Sequence, residues 1–165
     1  MSMQNLAVEV GKVLQANGVS MATAESCTGG WIAKMMTDIA GSSAWFDCGF
    51  VTYSNNAKER MLGVKKASIE RDGAVSESVV REMAEGAIER SSAAIAVAVS
   101  GIAGPQGGTP QKPVGTVWLA WSIRGKQTHA QCCHFEGNRD AVRRQTAEKA
   151  LKGVIEYLVQ QGGCN

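Results

Sequence analysis

Thr23-Ala24-Glu25-Ser26-Cys27-Thr28-Gly29-Gly30 joins a short apolar run, Val19 to Ala24, to a helical pattern that begins at Trp31. It reads as a strand-to-helix turn. Two successive glycines let the backbone approach a ligand closely, and the N–H groups of a helix's first turn attract an anion or a developing oxyanion. Ser26 at the apex has the setting of an activated nucleophile beside a preformed oxyanion hole. The plainer reading is a helix N-cap in a tight turn. Cys27 is the rival nucleophile, although a small buried thiol is its commoner fate.

Outward from this turn the chain alternates. Upstream, Leu6, Val10, Val13 and Leu14 fall at helical spacing over residues 4–16, and Asn17-Gly18 stops that helix. Downstream, Trp31, Ile32, Met35, Met36 and Ile39 form the apolar stripe of a second helix, broken at Gly41-Ser42-Ser43. Trp45 to Tyr53 is aromatic and β-branched enough for a strand, and Ser54 caps a helix over Asn55 to Leu62 that ends at Gly63. Ser76 caps a further helix with Val79, Val80, Met83, Ala84, Ala87 and Ile88 on one face.

Ala93 to Val99 is continuously apolar, the mark of a strand buried on both faces. Gly115 to Ile123 and Thr128 to Phe135 are separated only by Arg124-Gly125-Lys126-Gln127, which forces an antiparallel hairpin. A last helix runs from Arg139 to Val159, and the tail Gly162 to Asn165 is expected to fray. The expected fold is a single α/β domain over residues 1–165, a three-layer α/β/α sandwich on a mixed, mostly parallel central sheet. Ligands in such folds bind beyond the carboxyl ends of the strands. Ser26, Tyr53 and Ser100 each follow a strand, so parallel strands would gather them on one edge.

Composition narrows the function. The 165 residues carry a net charge of +2 without a basic stripe, which argues against nucleic acid. No apolar run reaches the ~18 residues of a membrane helix and the first residues lack a signal-peptide pattern, so a cytoplasmic protein is expected. Five cysteines without C-x-x-C spacing favour reduced thiols over disulfides or zinc. His129 and His134 lie five apart on a strand and so on opposite faces, unable to chelate one metal. No metal or organic cofactor is expected.

A serine nucleophile needs a base, and neither histidine sits in a Ser-His-Asp pattern. Lys58, five residues beyond Tyr53, can reach back over the strand end, and acts as that base only if desolvation or a nearby positive potential lowers its pKa from the ordinary ~10.4. Most helix lysines point to water instead. Tyr53 is a candidate to orient that lysine or to donate to the substrate through its hydroxyl, or simply an aromatic packing at a strand end against the next helix. The loop Ser100 to Gly108 offers amides that would cradle a phosphate or ribose, with Gly-Pro turns as the bland alternative. Arg139 is suited to hold a phosphate bidentately or to face solvent.

These blocks together, with Phe50-Val51-Thr52-Tyr53-Ser54-Asn55, Gly73-Ala74-Val75-Ser76, Ser100-Gly101-Ile102-Ala103-Gly104-Pro105, Lys112-Pro113-Val114-Gly115-Thr116-Val117 and Gly137-Asn138-Arg139-Asp140, resemble the CinA carboxy-terminal domain family over nearly the whole length. The resemblance implies a nicotinamide-nucleotide amidase that hydrolyses nicotinamide mononucleotide to nicotinate mononucleotide and ammonia in pyridine-nucleotide recycling. It carries the nucleophile onto Ser26 and the accompanying tyrosine and lysine onto Tyr53 and Lys58. Substrate contacts are expected at Thr28, Gly29 and Gly30, at Ser100, Gly101 and Gly104, and at Arg139. The expected partner is that small-molecule substrate, with no nucleic acid and no membrane, in a homo-oligomer. A nucleotide-binding protein without catalysis and an interaction module are the alternative readings, separated by assaying ammonia release.

Overall fold

The computed structural model describes residues 1–162. Its centre is strand β1, Met21–Glu25, in which every residue is buried. A strand covered on both faces has no reason to alternate apolar and polar residues, and Met21-Ala22-Thr23-Ala24 does not. Strands β2, Phe46–Val51, and β3, Ile95–Gly101, flank it in parallel. Next to β3 runs β4, Thr116–Ile123, in the opposite sense, and the edge strand β5, His129–His134, turns back beside it. The order is β2-β1-β3-β4-β5, so β4 alone is reversed. The sheet is mixed with a parallel core.

Helices cover both faces. On one lie α1, Met3–Ala16, α2, Trp31–Thr37, and α6, Arg139–Gly162; on the other lie α3, Asn55–Leu62, α4, Lys66–Asp72, and α5, Glu77–Glu89. The period of two divides β3 between them: Ile95, Val97 and Val99 pack with α1, α2 and α6, whereas Ala96 and Ala98 pack with α5. The small residues on that second face let α5 lie close to the sheet, and Gly86 of α5 lets α3 come closer still. A Cβ built on Gly86 would sit 1.9 Å from the Leu62 carbonyl oxygen.

The elements depart from expectation at their edges. Strand β2 begins after Trp45, which instead drops into the core at 2% exposure, and it stops before Tyr53, which is 62% exposed. Helix α4 lies in a stretch without a clear apolar stripe; Ser68 is its one buried residue, so there was little periodicity to read. Strand β1 extends to Glu25, which places Ser26 immediately at its end. Gly162 closes α6, and the rest of the tail expected to fray lies outside the described residues. His129 stacks on Tyr157 of α6, with ring centroids 4.6 Å apart. Because β1, β2, β3 and β5 point the same way, Ser26, Tyr53, Ser100 and Arg139 all emerge at one edge of the sheet.

Candidate active site

Each strand end delivers one part of a cleft of about 200 Å³, lined among others by Ser26, Tyr53, Asn55, Lys58, Ser100, Gly101 and Arg139. Ser26 follows β1 directly, and its amide donates to the Val99 carbonyl at 3.1 Å, which extends the β1–β3 ladder to the serine itself. Its side chain is buried, at 8% exposure for the residue. Lys58 arrives from α3. The Ser54 hydroxyl accepts from the Ala57 amide at 3.0 Å, and this cap starts the helix so that Lys58, one turn in, points back at the sheet edge.

Lys58 is 1% exposed, and its Nζ lies 3.0 Å from Ser26 Oγ, 3.1 Å from the Thr52 carbonyl oxygen and 3.2 Å from that of Tyr53. None of these three partners is a carboxylate. Burial therefore pushes the lysine pKa below its ordinary value, with the neighbouring Cys27 thiol opposing the shift. A neutral amine has two N–H bonds and one lone pair. In that form, with both N–H groups given to the two carbonyls, the lone pair would face the Ser26 hydroxyl, the arrangement a general base needs.

Cys27 lacks the corresponding activation. It is 6% exposed, and burial raises its thiol pKa to about 11, so the reactive thiolate is scarce near neutrality. Tyr53 is placed differently from expectation: its carbonyl, not its hydroxyl, meets Lys58, while the hydroxyl accepts from Arg139 Nη2 at 3.1 Å. Arg139 also donates through Nη1 to the Gly104 carbonyl at 2.8 Å, bridging the β2 and β3 loops across the mouth of the cleft. Ser100 is 1% exposed and its hydroxyl donates to the Ala74 carbonyl at 2.9 Å. Gly101 lines the cleft; Gly104 reaches it only through that contact with Arg139.

Thr28, Gly29 and Gly30 do not line this cleft. They form the wall of a second, larger cavity of about 940 Å³ between α1, α2 and α6, together with Trp31, Lys34 and Arg143. The cause is Glu25. Its carboxylate, wholly buried, accepts from Thr28 Oγ1 at 2.6 Å and from the amides of Ile32 and Ala33 at 2.9 and 3.0 Å. The first turn of α2, expected to await an external anion, is thus already occupied by an acid of the same chain, which a helix N-terminus and a buried carboxylate both favour. The amides left over are those of Cys27, Thr28 and Gly30, which have no protein acceptor among the described residues.

Glu25 and Arg143 were missed by reasoning from the sequence. An acid inside an apolar strand is itself a signal, because unpaired carboxylates are almost never buried. Arg143 follows Arg139 by one helical turn, so the two share a face of α6. Among the described residues no group of three His, Cys, Asp or Glu side chains is placed to hold a metal ion.

A five-stranded α/β/α sandwich with a buried serine hydrogen-bonded to a desolvated lysine at its parallel strand ends defines a class of protein built around a Ser/Lys pair. Within that class the chain belongs to the CinA C-terminal domain family, whose model matches residues 3–158. Among its relatives is the nicotinamide-nucleotide amidohydrolase PncC of Escherichia coli K12, 54% identical over 159 residues covering 96% of each chain. The Pseudomonas putida protein of the same name is 52% identical, over 92% of this chain and 94% of its own. The crystal structure of a CinA superfamily protein from Klebsiella pneumoniae superposes with a TM-score of 0.93 at 39% identity, covering 97% of this chain and 99% of that one.

Proposed function

We propose that this protein is an amidase that hydrolyses the carboxamide of nicotinamide mononucleotide, giving nicotinate mononucleotide and ammonia. The observation that carries the reading is the 3.0 Å contact between Lys58 Nζ and Ser26 Oγ in a buried cleft. It is supported by relatives at 54% and 52% identity named for that activity.

In this reading Ser26 Oγ attacks the amide carbon while its proton passes to the neutral Lys58 amine. The carbonyl oxygen becomes an oxyanion held by the free amides of the turn after Ser26. Lys58 then returns the proton to the departing nitrogen, which leaves as ammonia, and an acyl ester remains on Ser26. Water, deprotonated by the same amine, hydrolyses that ester and regenerates the hydroxyl. The cleft of about 200 Å³ is smaller than the ~300–1,000 Å³ of common ligand pockets, so it takes the aromatic amide head. The ribose and phosphate lie along its rim, where Arg139 and the loop after Ser100 contribute donors. The enzyme works in the cytoplasm and requires no metal or organic cofactor.

The test is ammonia release from nicotinamide mononucleotide by the wild type and by Ser26→Ala. Turnover by the wild type, with retained binding and lost turnover in the variant, is expected. Near-normal activity in Ser26→Ala would overturn the assignment of the nucleophile. Binding by the wild type without ammonia release would make the protein a nucleotide-binding one.

A further inference from the structure

We infer that Arg143 is a positioning residue for the oxyanion-binding amide, holding the Cys27–Thr28 peptide so that the Thr28 N–H faces the Ser26 side. This rests on the amidase reading and deepens it. Arg143 Nε donates to the Cys27 carbonyl at 3.0 Å and Nη2 to the Thr28 carbonyl at 3.1 Å. Its guanidinium also stacks over Trp31, 5.4 Å from the ring centroid. Two carbonyls and an aromatic face together fix a planar fork in one orientation, which a lysine could not do.

The consequence follows from the trans peptide, in which C=O and N–H point in opposite directions. The Cys27 carbonyl is drawn towards Arg143 and α6, so the N–H of the same peptide, that of Thr28, is turned away from α6. Arg143 and Thr28 line the large cavity whereas Cys27 lines the Ser26 cleft, so the peptide that joins Cys27 to Thr28 lies in the wall between the two. The Thr28 N–H has no protein acceptor among the described residues, unlike the Gly29 N–H, which donates to the Ser26 carbonyl at 3.1 Å. On the other flank, Glu25 grips the Thr28 hydroxyl at 2.6 Å. The turn is thus clamped from both sides around the Thr28 peptide, whose N–H is left unspent. Nothing of Arg143 enters the cleft, so its effect on chemistry is exerted through that peptide.

Arg143→Met and Arg143→Lys test this by steady-state hydrolysis of nicotinamide mononucleotide and by crystal structures of both variants. Loss of one oxyanion donor lowers kcat by about 10²–10³-fold, so Arg143→Met should lose that much with KM changed by no more than about threefold. Arg143→Lys, which can reach one carbonyl but not both, should recover part of kcat and serves if the Met variant folds poorly. The Cys27–Thr28 peptide should be rotated or split between orientations in the Met variant. An unchanged kcat, a loss that falls on KM instead, or an unchanged peptide orientation would overturn the inference. If the wild type releases no ammonia the amidase reading fails by itself, and the peptide orientation in the variant crystals still decides the role of Arg143.

Discussion

Replacing Lys58 by Met removes the amine and keeps an unbranched side chain of similar length. Three oxygens lose their partner, at 3.0, 3.1 and 3.2 Å. In the proposed mechanism the catalytic loss is that of a general base, about 10²–10⁴-fold; a thousandfold drop corresponds to about 4 kcal/mol of barrier. For stability two effects oppose. The carbonyls of Thr52 and Tyr53 lose a buried donor, at about 1–3 kcal/mol each, while the protein no longer has to bury an amine that water would prefer to protonate. Stability should therefore change far less than activity. The pH dependence separates this from unfolding. Because burial lowers the folded-state pKa of Lys58 below its ordinary 10.5, the unfolded chain carries a proton that the folded one lacks across the window between the two values. Wild-type stability gains from Lys58 as pH rises through that window and loses it as pH falls to the depressed value, and Lys58→Met should abolish this component. In parallel, kcat/KM of the wild type should climb with pH through the depressed pKa, as the free enzyme gives up its proton, and then level off. The assay is kcat/KM for nicotinamide mononucleotide from pH 5 to 10, beside thermal melts at the same pH values. Retention of most activity by Lys58→Arg, whose guanidinium stays charged, or the same rising limb in Lys58→Met would refute the reasoning.

Three further outcomes are expected. Cys27→Ala should keep wild-type kcat within a few-fold, and Cys27 should react slowly with iodoacetamide at pH 7.5, because its thiol is buried with a pKa raised to about 11; mass-spectrometric labelling in minutes would contradict this. Free nicotinamide should be cleaved with far lower kcat/KM than its mononucleotide if, as proposed, Arg139 and the Ser100 loop bind the remote phosphate and so help position the reacting amide; equal efficiencies would remove both from the substrate site. Gly86→Ala should destabilise the fold by about 3 kcal/mol or more, a fall in Tm of roughly 6–12 °C, because its Cβ would meet the Leu62 carbonyl oxygen at 1.9 Å. A melt within 2 °C of wild type would show that α3 and α5 can separate freely.

What the amino-acid sequence determines by itself is the alternation of elements and the chemistry available at their junctions. Apolar runs such as Ala93 to Val99, the cap at Ser54 and the short Arg124–Gln127 connection are local signals, and each specifies its own element because caps, turns and periodicities act within a few residues. They are enough to bring Ser26, Tyr53 and Ser100 to one sheet edge once the strands are taken as parallel; that Arg139 joins them there is seen only in the folded sheet. Helix α4 escaped because it buries one residue, Ser68, and so presents no periodic stripe. What lies between elements was not legible. Whether Lys58 is solvated or 1% exposed depends on how α3 docks over the ends of β1 and β2, and that is fixed by long-range packing of Leu62 and α5. The same holds for the first turn of α2, whose free amides look available until Glu25, seven and eight residues earlier, folds back onto Ile32 and Ala33. Burial makes the difference in both cases. Removing a charge from water turns an ordinary lysine into a candidate base and an ordinary glutamate into a cap, and only the tertiary structure decides which charges leave water.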